Sequence, residues 1–403
     1  MSQQAPTPST SSYDEMKAGY TGNVEYEEDT KTVTFTSSGT MTFANRVEQT
    51  DHIWHIPDTL LHILINENVT VTGQFTWGHV MTFEGKNQWT SVVYGTAVKG
   101  ALHSEGLDQK YSCVAYSTFY GYGSGDNYIK NLTCLNPLGF MFTGKANCRL
   151  HLDGVRGIDD RGGFSNHSDG ISAASGSTVK NCYLETGDDA IKVYANILVE
   201  NTDIVMIQNC VPIQYGWGTY GSGAIGTFIN VRIKGTSGRN TEKSVINMAS
   251  VSAGDGYTKT IMMDSCSIEN PNATLFLMKD NTVKSDVTIT NSRILVKDYG
   301  SKYGTGTISI CGSTAIRNEF NCLTPTTIAE SKVPPKIWPN PFTDKIHFET
   351  QQPTIALFTL DGRKLCFISV FDGKTQIVNA SPIPKGMYII TDYHWSQLIN
   401  NWQ

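Results

Sequence analysis

The sequence predicts an all-β chain, a right-handed parallel β-helix followed by a small antiparallel β-sandwich. Three observations predict it. A six-residue pattern recurs at intervals of 20 to 35 residues, with one gap of 50. Apolar residues alternate with a period of two, and the helical period is missing almost everywhere. Near Thr324 the pattern stops and the composition changes.

The pattern reads apolar, any, Asn or Ser, any, any, apolar. It begins at Ile129, Val179, Val199, Phe228, Met263 and Ile289, with polar centres at Asn131, Asn181, Asn201, Asn230, Ser265 and Asn291. The centres are 50, 20, 29, 35 and 26 residues apart, and the first gap has room for two turns. Irregular repeats of this length, built from short β-type segments, indicate a solenoid. Each copy is a strand, a sharp turn and a strand. Asn suits the bend because it tolerates left-handed backbone angles and can hydrogen-bond its neighbour one coil away. Ile63 with Ile65, Val69 with Val71, and the turn at Thr72-Gly73 extend the strands towards the N-terminus. About a dozen coils make a rod of roughly 50–60 Å. A sandwich over the same region would need hairpin turns such as Asn-Gly, which are scarce.

The β-helix is expected over residues 20–325, after a disordered lead-in at 1–19 rich in Ser, Thr and Pro. The start has neither a basic nor an apolar region, so it is not a signal peptide as written; the protein is cytosolic, or the chain is a processed one with a new Met1. Residues 326–337 form a linker and 338–403 a second domain. In that tail, alternating segments at Lys345, Ile355, Cys366 and Met387 predict short strands, and Asp361-Gly362 and Asp372-Gly373 predict hairpin turns.

With 31 Lys+Arg against 37 Asp+Glu the net charge is −6, which excludes nucleic acid as the main partner because phosphate binding needs a basic face. No apolar run approaches the length of a membrane span. Charged residues are only 17% of the chain, and its many Asn, Thr, Ser, Gly and Tyr suit binding of neutral polar polymers. Nine cysteines without a CxxC are read as buried small apolar residues; if any pair is bridged, it is Cys311 and Cys322. His52, His55 and His62 fit no zinc spacing, and no metal or cofactor is expected.

Three carboxylates carry the chemistry. Asp169 lies 19 residues before Asp188 and 20 before Asp189, about one coil. Stacked coils bring equivalent positions one strand spacing apart, so all three can meet on one outer wall. Gly187 supplies a turn that lets both members of the pair reach the same side. Crowded carboxylates repel, so one keeps its proton to higher pH and can act as a donor beside a charged base. The competing reading is a turn cap or a calcium site.

Two resemblances follow from specific residues. Trp338-Pro-Asn-Pro-Phe342, Leu360-Asp-Gly-Arg363 and Pro384-Lys-Gly-Met-Tyr388 resemble the C-terminal sorting domain of the type IX secretion system of Bacteroidetes, which implies a secreted or cell-surface protein that meets the secretion machinery. Ser168-Asp-Gly170, Gly187-Asp-Asp-Ala-Ile-Lys-Val-Tyr194 and Val211-Pro-Ile-Gln-Tyr-Gly-Trp217 resemble glycoside hydrolase family 49, the dextranases and isopullulanases. That resemblance implies an inverting α-glucan hydrolase on a β-helix. It makes Asp188 the general acid, gives Asp169 and Asp189 the attacking water, and places Lys192, Tyr194, Gln214 and Trp217 along the sugar sites.

His167, beside Asp169, is a further groove candidate. Arg161 is a candidate for meeting substrate, with Asp159 as its alternative partner. Three other readings stay open: a pectin-cleaving hydrolase resembling family 28, a β-helix lyase, and a non-catalytic glycan-binding surface protein. The pectin reading lacks the Gly-His-Gly of family 28 after Asp189. Arg156 and Arg161 are its only nearby basic residues. The chain is expected to act as a monomer.

Overall fold

In the computed structural model the described residues are 12–43, 52–95, 116–161, 168–207, 210–216, 222–235, 244–248, 257–278, 283–302, 305–312 and 314–316 of the rod, and eight strands of the tail. The rod is a right-handed parallel β-helix. Its first ladder is a 12-stranded sheet, parallel throughout except for Val24–Glu27, which runs antiparallel to Thr32–Phe35. The remaining 11 strands, at about 4.8 Å each, make a rod about 50 Å long. Two further ladders complete each coil, as in Ser177–Lys180, Tyr183–Thr186 and Ile191–Lys192.

Register shows why the repeat exists. Its leading apolar residues form one inward column on the first ladder: Ile129, then Leu152, Val179, Val199, Phe228, Met263 and Ile289 are aligned in succession. Its closing apolar residues, including Leu184, Ile204, Ile233, Ile268 and Ile294, form a second column on the next ladder. All are buried, and each coil closes the core left open by its neighbour. Wider side chains fill the N-terminal half, where Phe119 stacks between Phe75 at 5.8 Å and Phe142 at 5.5 Å.

Between these columns the chain bends at the polar centre. Asn131, Asn181, Asn201, Asn230, Ser265 and Asn291 all have φ between 49° and 55°. Gly154, at φ 63°, makes the same bend inside the 50-residue gap. The Asn side chains also link coils: Asn230 donates to Asn201 at 2.8 Å and Asn181 to Asp153 at 2.8 Å. Asn201→Val should therefore lose about 1–2 kcal/mol to the left-handed backbone and about 1 kcal/mol more to the broken link. Asn201→Gly should lose less, since glycine accepts the angle. Urea unfolding of both variants checks this, and the opposite order contradicts it.

The expectation of disorder through residue 19 is corrected from Tyr13 onward; residues 1–11 lie outside the described part. Tyr13–Gly19 is a helix, capped by Ser12, whose hydroxyl accepts from the Glu15 amide at 3.0 Å. Its only long apolar residue, Met16, is fully buried. Tyr13 packs on Tyr26 and Tyr20 on Phe35, each at 5.0 Å. The segment orders because it covers the open end of the first coil, which would otherwise leave apolar side chains in water.

The tail contains two four-stranded antiparallel sheets, as a sandwich requires. Ala356–Thr359 pairs with Lys364–Leu365, and Ser369–Phe371 with Thr375–Asn379, so the strands flanking both Asp-Gly pairs are hairpin partners. Ile337–Trp338 already pairs within the tail, while most of the proposed linker and Cys322 lie outside the described residues. Cys134, Cys148, Cys182, Cys210 and Cys266 are buried free thiols, as their scattered spacing suggested.

Candidate active site

The acidic trio forms where the second ladder hands over to the third. Ile171 and Ile191 are aligned on the third ladder, and Asp169 and Asp189 each stand two residues earlier. Backbone bonds lock the two coils together: the Gly170 amide donates to the Asp189 carbonyl at 2.8 Å, and Ile171 to Ala190 at 2.9 Å. A side chain on Gly170 would collide with the Ala190 carbonyl, which explains glycine after Asp169. Within the Gly187 turn, the Gly187 amide donates to the Ser168 hydroxyl at 2.8 Å, and Thr186 Oγ1 donates to the Asp188 carbonyl at 2.6 Å. These bonds hold the Asp-Asp pair out of regular strand geometry, so both side chains reach one place. One oxygen from each of Asp169, Asp188 and Asp189 lies within 4.8 Å of the others.

All three are buried, at 2%, 9% and 5% exposure respectively. Lys192 joins them at 7%, with Nζ 2.6 Å from Asp169 Oδ1 and 2.9 Å from Asp189 Oδ2. Asp188 is not in that pairing; its Oδ1 accepts from the Asp189 amide at 3.0 Å. Burial, then the charges of Asp169 and Asp189, push the Asp188 carboxyl well above the usual carboxylate range. Burial opposes the charge on Lys192, yet Asp169 and Asp189 outweigh it and hold the ammonium well above its ordinary value. The result is a carboxyl that favours its protonated form, beside an ammonium that lies against the other two. The trio is also compact enough to bind a cation, but the Lys192 ammonium already lies against two of its members.

The other expected residues are placed unevenly. Tyr194 lies beside the cluster, its ring 5.7 Å from Lys192 Nζ. Gln214 is level with Lys192 one coil on, and its Oε1 accepts from the Gly216 amide at 3.0 Å. Lys192, expected along the sugar sites, instead faces the carboxylates. Arg161, expected as a candidate for meeting substrate, has its guanidinium buried against Asp159, with Nε and Nη2 at 2.9 and 2.8 Å from the two carboxylate oxygens. A two-residue spacing puts this partner within reach, and burial favours a neutralised pair over an exposed arginine. His167 and Trp217 lie outside the described residues. His52 contacts the Met41 carbonyl, His55 the Thr76 hydroxyl and His62 Glu84, so the three histidines do not converge on one ion.

Phe140 and Asn247 were missed. The Phe140 ring lies 5.0 Å from Lys192 Nζ, and Asn247 continues the Lys192–Gln214 row. Counting one coil on from Gln214 would have found Asn247; nothing local singles out Phe140.

Comparison with known proteins separates the two parts of the chain. Residues 336–393 match the family described as Secretion system C-terminal sorting domain. No curated protein matches the chain. Among solved structures, Dex49A from Penicillium minioluteum is similar at a TM-score of 0.54 and 14% identity, over 73% of this chain and 56% of that one. The chain thus spans about half the length of that relative. The likeness carries the β-helix fold, and the sorting domain marks the tail as an address for secretion. Among the described residues, no helix is long and apolar enough to cross a membrane.

Proposed function

We propose that the protein is a secreted or cell-surface hydrolase of a neutral polysaccharide, with an α-glucan such as dextran as its substrate class. The observation that carries this reading is the division of labour inside the trio. Asp188 is the most exposed of the three and keeps its proton, while Asp169 and Asp189 sit on the Lys192 ammonium. Those are the two protonation states that glycosidic cleavage requires at one point. Asp188 gives its proton to the glycosidic oxygen as the C–O bond breaks. Water attacks the anomeric carbon from the opposite face and passes a proton to Asp169 or Asp189. No cofactor enters this scheme.

The motif resemblance to family 49 and the similarity to Dex49A support the same choice of substrate class. Charge supports a neutral glycan over pectin. Arg161 is engaged by Asp159, and the Arg156 guanidinium lies 3.8 Å over the Trp89 ring. Both nearby arginines thus already have partners, which supports a neutral glycan.

The reaction proceeds with inversion in this proposal. The closest carboxylate oxygens lie within 4.8 Å, tighter than the roughly 6.5–9.5 Å between carboxyls in most inverting enzymes. Burial supports inversion in this reading. A retaining nucleophile must itself touch the anomeric carbon, whereas Asp169 and Asp189 at 2% and 5% exposure favour access by a small water. NMR of the first-formed product from dextran tests the stereochemistry. A β-anomer is expected, and an α-anomer overturns it.

A further inference from the structure

We infer that Tyr122, with Tyr120 beside it, forms an outlying sugar-stacking platform on the line that runs past the acidic cluster. This rests on the neutral-glycan reading above and specifies where the chain of sugars lies. Phe119, Phe142, Ile171 and Ile191 are aligned on the third ladder. One residue after each stand Tyr120, Thr143, Ser172 and Lys192. These four mark one row parallel to the rod axis, with Lys192 at one end and Tyr120 three strand spacings away, about 14 Å; Tyr122 follows two residues after Tyr120. Tyr120 is half-buried and Tyr122 exposed.

Tyr122 is built to stay in place. A Cβ on Gly78 would lie 2.7 Å from its ring, so glycine there lets the ring rest on the backbone. The Tyr122 amide donates to the Trp77 carbonyl at 2.9 Å. Even so, the residue is 42% exposed, and the Tyr120 ring is 6.3 Å away. A fixed ring face open to solvent suits the apolar face of a pyranose and loses little entropy on binding. A hexose in an extended glycan advances by about one strand spacing, so the platform meets a unit about three sugars from the cleaved bond.

Affinity electrophoresis of the full chain in gels containing dextran, pullulan or polygalacturonate tests the platform without turnover. The wild type should be retained by a neutral glucan. Tyr122→Ala should weaken retention about three- to tenfold, while Tyr122→Phe, which keeps the ring, should not. Equal retention of Tyr122→Ala and wild type overturns the proposal, as does a wild type that no neutral glucan retains. Circular dichroism of Tyr122→Ala should match the wild type, because the side chain is outside the core. If retention behaves as expected but no reducing ends appear, the hydrolase reading fails and the platform stands.

Discussion

Asp188→Asn should lower turnover of natural polysaccharide by at least about 100-fold, the lower bound for removing a general acid. Asn preserves size and cannot donate the proton. An activated aryl glycoside, whose leaving group needs little protonation, should lose much less. The pH profile carries a second signature. Burial and two neighbouring carboxylates raise the Asp188 carboxyl, so wild-type activity falls as pH rises through that raised value. In the variant that limb should vanish. Stability has its own sign. A raised folded value means that the stabilising contribution of Asp188 is present below the ordinary carboxyl range and lost as pH rises through the raised one. At pH above that value the Asn variant should therefore unfold at no lower urea concentration than the wild type. Equal slowing of natural and activated substrates would show that Asp188 is not the acid. No change at all would make the Asp pair structural and favour the glycan-binding protein without catalysis.

Lys192→Met should have the largest effect on stability. The ammonium lies between Asp169 and Asp189 with almost no exposure, so its removal leaves two buried carboxylates uncompensated. Breaking such a pair from one side is destabilising by about 3–5 kcal/mol. The Lys192 ammonium is held above its ordinary value, so its contribution is complete below about pH 10.4 and fades only as pH rises through the raised value. Urea unfolding at neutral pH should thus report the full loss. A variant with wild-type stability would remove Lys192 from the site's electrostatics.

The rod was legible because its rules are local and repeated. A left-handed bend every coil selects Asn, and the apolar positions on either side must face one interior, so six copies were enough to give the fold. The trio was legible for the same reason: a spacing of 19 and 20 residues equals one coil in this region. The Lys192 contacts were not, because strand alternation gives the side of the sheet but not where a long flexible side chain ends. Met16 is the only long apolar residue in its segment, so no period announced the helix, and only contact with the rod end orders it. The role of Trp217 and His167 still rests on motif resemblance and position in the sequence.

Release of reducing ends by the wild-type protein, followed across dextran, pullulan, α-1,3-glucan and polygalacturonate, is the most direct measurement. The site described here predicts release from a neutral α-glucan, none from polygalacturonate, and no product absorbing in the ultraviolet. Unsaturated, ultraviolet-absorbing products would mean elimination by a lyase. Cleavage confined to polygalacturonate, or no reducing ends from any of the four, would contradict hydrolysis of a neutral glycan by Asp188, Asp169 and Asp189.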